Sequence, residues 1–240
     1  MAIYKGNKKV VAVYKGSTPI NKIYKGSTLV FQKSGGGGST HLIEGTATGD
    51  FDLKINNNQT IPITPDADGK WFYDTDEKIT SLYQAFYKQS SVTSVDLSNL
   101  DLTGISTRGM FEYSSNIIEY SSNITSIKFN NTKSMKLRDV VRMFARCSKL
   151  VSLDVSNWNT SNLRNADYLF YNCSSLVSLD VSNFDMSAAT SYRKIFRYCT
   201  SLSTIKCKQA FKDWCITHQD DIYLPDAMRE GGSGTWEIVG

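Results

Sequence analysis

The chain has 240 residues, 40% of them hydrophobic and 12% aromatic, enough to bury a core, which excludes a disordered tail. No apolar run approaches the ~20 residues of a membrane span, and five cysteines are too few for a disulfide scaffold at this length. The formal charge of +4 is unevenly spread: residues 1–33 hold seven lysines and no acid, which leaves the remainder at −3, so the larger body gives no electrostatic reason to bind nucleic acid.

The first 33 residues repeat every ten: Ile3-Tyr4-Lys5-Gly6, Val13-Tyr14-Lys15-Gly16 and Ile23-Tyr24-Lys25-Gly26. Each unit is a short β-rich run closed by Gly-Asn or Gly-Ser, a hairpin signal, and the spacing predicts a small antiparallel meander. So short a segment, with no cysteine to staple it, cannot bury enough apolar surface to stand alone. It is expected to be completed by sister chains or a larger assembly, with Tyr4, Lys5, Tyr14, Lys15, Tyr24 and Lys25 as the assembly anchor. Gly35 to Gly38 make residues 34–40 a flexible tether. Met1 to Lys9 is polar and Lys-rich with no apolar stretch behind it, so no secretory signal is expected there.

Residues 41–78 alternate apolar and polar positions (Phe51, Leu53, Ile55, Ile61, Ile63, Trp71, Tyr73), with turn residues at Asn56-Asn57-Asn58 and Asp68-Gly69. This predicts a β cap. A second repeat follows. Phe144, Phe170 and Phe196 are 26 residues apart, as are Cys147, Cys173 and Cys199. The unit reads Phe-x-x-Cys-x-x-Leu-x-x-Leu-Asp-Val-Ser-Asn-aromatic. Degenerate copies begin at Phe86 and Phe111, the latter with an insertion near Asn116–Ser122. This spacing predicts an α/β leucine-rich-repeat solenoid of about five 26-residue units over 79–207. A helical turn is expected before each Phe, and the cysteines are expected as buried thiols. Residues 208–240 read as a C-terminal cap: Phe211, Trp214 and Cys215 at helical spacing, then a turn and a final strand over Thr235–Val239.

The unit resembles the BspA-like leucine-rich repeats of Bacteroidales over residues 79–207, and the Tyr-Lys-Gly decapeptides resemble the N-terminal module of structural proteins of Bacteroidales phages, including crAss-like phages. Proteins with this repeat are mostly surface adhesins or ligand-binding proteins, so the resemblance implies no enzyme. It implies a phage virion structural protein: a head-fibre, tail-fibre or decoration subunit. Such a subunit is synthesised in the host cytoplasm and joined through residues 1–33 to capsid or tail proteins. It is expected to be a homo-oligomer, with a trimer suggested by fibre habits, and to meet a host-surface protein or glycan. The alternative is a bacterial cell-surface adhesin with the same repeats, which export would require to carry a signal; an intracellular scaffold stays open as a third class.

Catalytic and metal patterns are missing from the sequence. His41 and His218 sit in no metal-ligand spacing, and there is no C-x-x-C, P-loop or G-x-S-x-G. Neither an enzyme nor a cofactor is expected. The outward strand column, Asp96, Lys128, Asp154, Asp180 and Lys206, reads best as a solvated charge ladder. Asn99, Asn157 and Asn183 are expected to bond the turning backbone. The candidate ligand face flanks the Phe column: Tyr87, Tyr113, Arg146, Tyr168, Tyr171, Arg193, Arg197 and Tyr198. Tyrosine and arginine are the residue types of binding hot spots. The other reading of the same strip is rings packed between units with snorkelling arginines, and repeat position alone does not choose between the two.

Overall fold

The computed structural model describes residues 42–56, 59–75, 78–112, 123–129 and 136–240, together with the backbone of six short strands in the arm and of Met135. The arm strands are β1 (Ile3–Lys5), β2 (Lys8–Val10), β3 (Tyr14–Lys15), β4 (Thr18–Pro19), β5 (Lys22–Lys25) and β6 (Thr28–Gln32). They pair antiparallel two by two, β1 with β2, β3 with β4 and β5 with β6. The side chains of the expected anchor residues, Tyr4, Lys5, Tyr14, Lys15, Tyr24 and Lys25, lie outside the described residues, as do the Gly-rich tether, the 116–122 insertion and Tyr113.

In the body, β7 (Ile43–Ala47) lies between β10 (Lys70–Tyr73) and β11 (Val92–Leu97), antiparallel to both. Strand β11 then runs parallel to β12 (Ser126–Phe129), giving a mixed four-stranded sheet. Gly45 sits at its centre because nothing larger fits: a Cβ there would fall 2.0 Å from the Ser94 carbonyl oxygen and 2.8 Å from the Trp71 ring. The hairpin β8 (Phe51–Ile55) with β9 (Gln59–Ile63) buries Phe51, Leu53 and Ile55 on one face, as their alternation demands. Further along, β13 (Met135–Lys136) pairs with β15 (Trp158–Asn159) in parallel. Strands β14 (Ser152–Asp154), β16 (Ser178–Asp180), β17 (Thr204–Lys208) and β18 (Thr235–Val239) form a four-stranded parallel sheet. Leu153, Leu179 and Ile205 stand in register on its buried face. Helix α1 (Gln209–Thr217) buries Phe211 and Cys215 and is followed by a short 3-10 turn over Asp226–Met228.

This corrects the expected α/β leucine-rich-repeat solenoid. The body's strands divide into a mixed four-stranded sheet, a parallel four-stranded sheet and two two-stranded pairs, and α1 is the single α-helix among the described residues. The fold is a mixed parallel and antiparallel multi-strand topology, not a repeating curved solenoid. The reason lies beside each Phe, where a helical turn was expected. Residues two before and two after it have left-handed backbone: Gln84 (φ 53) and Lys88 (φ 59), Arg142 (φ 56) and Arg146 (φ 67), Tyr168 (φ 59) and Asn172 (φ 57), Lys194 (φ 56) and Tyr198 (φ 68). Right-handed helix cannot pass through such positions. The chain instead forms a ribbon of overlapping turns. Alternate amides bond three residues back, as Ala85 to Leu82 and Tyr87 to Gln84, and the others reach the next level of chain, as Phe144 N–H to the Leu169 carbonyl.

The Phe side chains meet as a stacked column inside the body. Phe86, Phe111, Phe144, Phe170 and Phe196 follow one another at centroid separations of 5.3, 5.8, 5.6 and 5.7 Å with near-parallel planes. Cys147, Cys173 and Cys199 are buried beside it as free thiols. Cys173 Sγ donates to the Phe144 carbonyl at 3.1 Å and Cys199 Sγ to the Phe170 carbonyl at 2.9 Å.

Candidate functional site

The ribbon that sends each Phe inward sends its neighbours outward. Because the left-handed positions recur every 26 residues, Arg142, Tyr168 and Lys194 come to lie over one another. The Arg142 guanidinium sits 5.0 Å from the centre of the Tyr168 ring, and Lys194 Nζ sits 5.6 Å from the same ring. Tyr168 meets Tyr171 edge-on at 5.5 Å, and Tyr171 meets Tyr198 in the same way at 5.5 Å. The Arg197 guanidinium lies 4.8 Å from the Tyr198 ring and 4.9 Å from the Tyr223 ring. These contacts join into one surface band. Tyr198 is 48% and Tyr223 43% exposed, while Tyr168 and Tyr171 are half-buried. Cation–ring contacts of this kind contribute roughly 0.5–1 kcal/mol each where exposed and hold the long side chains in place.

Four of the eight residues expected on the ligand face are brought together: Tyr168, Tyr171, Arg197 and Tyr198. Tyr87 belongs to a separate cluster, with Lys54 and Lys88 ammonium groups 5.8 and 5.4 Å from its ring. The exposed Arg193 directs its backbone N–H to Asp167 Oδ1 at 2.7 Å, and its side chain joins no ring among the described residues. Arg146 is half-buried and acts electrostatically on Glu112. Tyr113 lies outside the described residues. The band also contains residues the sequence reading missed. Arg142 and Lys194 carried a signal, the same 26-residue spacing from Tyr168. Tyr223 carried none, because it arrives from the segment after α1.

Glu112 stands at the head of the band. It is 7% exposed and pairs with Arg142 at 3.3 Å. Burial pushes its carboxyl above the ordinary glutamate range, and the nearby Arg142 opposes that rise only in part.

The charged strand column forms a different face. Lys128 pairs with Asp96 at 3.6 Å and Lys206 with Asp180 at 3.0 Å, while Asp154 stands in register with Asp180. Partial burial disfavours the Asp180 carboxylate, but the Ser182 hydroxyl and Lys206 outweigh it, and its pKa falls below the ordinary aspartate range. The same aspartates close the strands. Oδ1 of Asp96, Asp154 and Asp180 accepts the backbone N–H two residues on, at 2.9, 3.0 and 3.1 Å. Asn183 donates its side-chain N–H to the Ser156 carbonyl in the turn of the preceding level, a bond to turning backbone as expected. Among the described residues no group of three His, Cys, Asp or Glu side chains is placed to hold a metal ion, and no helix is long and apolar enough to cross a membrane.

The body is thus built of stacked strands and turn ribbons around an aromatic column, with an aromatic and cationic band on one side. Residues 80–214, more than half of the chain, match the family model described as Mycoplasma protein of unknown function, DUF285, and the chain belongs to that family. No curated protein and no solved structure matches it.

Proposed function

We propose that this chain is a non-enzymatic attachment subunit of a phage virion, as a head fibre, tail fibre or decoration protein. Its basic arm, residues 1–33, joins capsid or tail proteins and sister arms, and its body meets a host-surface glycan or protein through the aromatic and cationic band. The band is the observation that carries the recognition half of this reading. Four tyrosines joined by edge-on and cation contacts lie together there, two of them exposed, and rings with polar tips suit sugars and hot-spot contacts. The ten-residue Tyr-Lys-Gly period and the three antiparallel strand pairs support the anchoring half. Tyr171→Ala combined with Arg197→Ala is expected to abolish attachment to host cells while the body stays folded, and deletion of residues 1–38 is expected to stop incorporation into particles. Unchanged attachment by the folded double variant removes the band from the reading; a truncated chain that still incorporates removes the arm. One finding favours a second reading, a bacterial surface adhesin using the same band: the family's description is of a bacterial protein.

A further inference from the structure

We infer that the band takes a linear polysaccharide carrying carboxylate groups, an inference that rests on the band being a recognition surface and names its ligand class. Three observations carry it. The first is charge. Arg142, Lys194 and Arg197 all lie against tyrosine rings within one band, and Arg197 and Lys194 have no carboxylate partner among the described residues. The acid at the head of the band, Glu112, is buried and held by Arg142. Asp167 turns its carboxylate to the Ser191 hydroxyl and the Arg193 N–H, and Asp221 meets the band by giving its backbone carbonyl to the Lys194 N–H. The body as a whole is slightly acidic once the arm is set aside. A cationic strip on an acidic body is complementary to an anionic ligand and repels one elsewhere.

The second observation is geometry. A guanidinium presents an N–H fork that matches a carboxylate in a two-point contact. Arg197, 4.8 and 4.9 Å from the Tyr198 and Tyr223 ring centres, is held in place by them before any ligand arrives, which lowers the entropy cost of binding. The third is the step of the repeat. Levels of the aromatic column advance by 5.3 to 5.8 Å, and Tyr171 and Tyr198 on successive levels are 5.5 Å apart. A polymer whose sugars repeat along its length can therefore meet the band at successive levels, ring against tyrosine and carboxylate against arginine or lysine.

The test uses the full chain and affinity electrophoresis in gels containing polygalacturonate, its fully methyl-esterified form, or poly-glutamate. The ester keeps the sugar backbone and removes the charge; poly-glutamate keeps the charge and removes the sugar rings. The expected result is retardation by polygalacturonate, at least tenfold weaker for the ester and for poly-glutamate. Lys194→Gln with Arg197→Gln should weaken the polygalacturonate effect at least tenfold, whereas Lys206→Gln on the strand column should leave it unchanged. Thermal melts confirm that each variant is folded. Equal retardation by the ester overturns the inference and leaves the band as a neutral-sugar surface, so the attachment reading stands. Equal retardation by poly-glutamate reduces the band to general polyanion capture and also overturns it. No retardation by polygalacturonate overturns it outright, while the separate host-cell assay of the Tyr171→Ala, Arg197→Ala variant decides the attachment reading on its own.

Discussion

Truncating one ring of the aromatic column should cost an amount that depends on where in the column it lies. Phe144 is fully buried. It stacks on Phe111 and Phe170 at 5.8 and 5.6 Å, lies 5.9 Å from Trp158 in near-parallel planes and meets Phe129 edge-on at 6.1 Å. Replacing a buried phenylalanine by alanine costs about 3–5 kcal/mol, and each favourable ring pair adds about 0.5–1.5 kcal/mol beyond its area. With four ring partners, Phe144→Ala belongs at the upper end, at roughly 5 kcal/mol. Phe196 is as well buried but pairs with one ring, Phe170, so Phe196→Ala belongs near 3 kcal/mol, at the lower end of the same range. Urea unfolding followed by tryptophan fluorescence and by circular dichroism, with the slope held common to the variants, gives both numbers. Phe144→Leu should recover part of the loss by refilling volume without restoring the ring pairs. Against a typical domain stability of about 5–15 kcal/mol, the Phe144→Ala midpoint should fall far below the others. If Phe144→Ala costs no more than Phe196→Ala, ring stacking is not what binds the levels, and the argument fails.

Three further outcomes are expected. Gly109 has φ +59, and a Cβ there would lie 3.0 Å from Glu112 Oε2, so Gly109→Ala should destabilise by about 1–2 kcal/mol, read as a lower urea midpoint, whereas Gln84→Gly at the equivalent left-handed position should be neutral or mildly stabilising. Burial raises the Glu112 carboxyl, so the native state holds this proton more tightly than the unfolded chain; stability is fullest at acid pH and declines as pH rises from 4.5 through the raised value. Glu112→Gln should flatten that slope in a pH series of melts, and an unchanged slope would place its origin elsewhere. Burial raises Cys207 from 9.0 to about 11, so its contribution to stability is intact below pH 9 and lost as pH climbs through 11; a thiol-reactive dye at pH 8 should label all five buried cysteines slowly in the native protein and fully in urea, and rapid native labelling would contradict their burial.

Repetition made the interior legible. Phe144, Phe170 and Phe196 announce their column by spacing alone, and Leu153 and Leu179 announce theirs, because identical side chains at one period must meet identical surroundings. The connecting segments were not legible because their decisive property is backbone sign. Left-handed positions usually reveal themselves as Gly or Asn. Here only Gly109 and Asn172 do so, whereas Tyr168, Lys194, Arg142 and Tyr198 adopt the same conformation with side chains that favour other regions. Reading those stretches as helical turns was the natural error, and it carried the solenoid with it. The band was half legible for a related reason: residues on the period could be found by counting, while Tyr223 reaches Arg197 only through the tertiary path of the chain after α1.

Through the turns that carry each Phe, the inter-level hydrogen bonds run one way. Phe86 donates to Met110, Phe111 to Met143, Phe144 to Leu169, Phe170 to Ile195 and Phe196 to Ile222. Peptide dipoles aligned in this manner add, as they do along a helix, so the stack has a positive and a negative pole. At the amino-terminal pole the outward groups are carbonyls, and β8 meets them with donors, Lys54 N–H to Ala85 and Asn56 N–H to Ser81. At the other pole the outward groups are N–H, and the carbonyls of Asp221 and Ile222 receive them. The two caps are therefore not interchangeable. Each cap has to bring the complementary backbone groups, donors at the first level and acceptors at the last, so exchanging the two would set donor against donor and acceptor against acceptor.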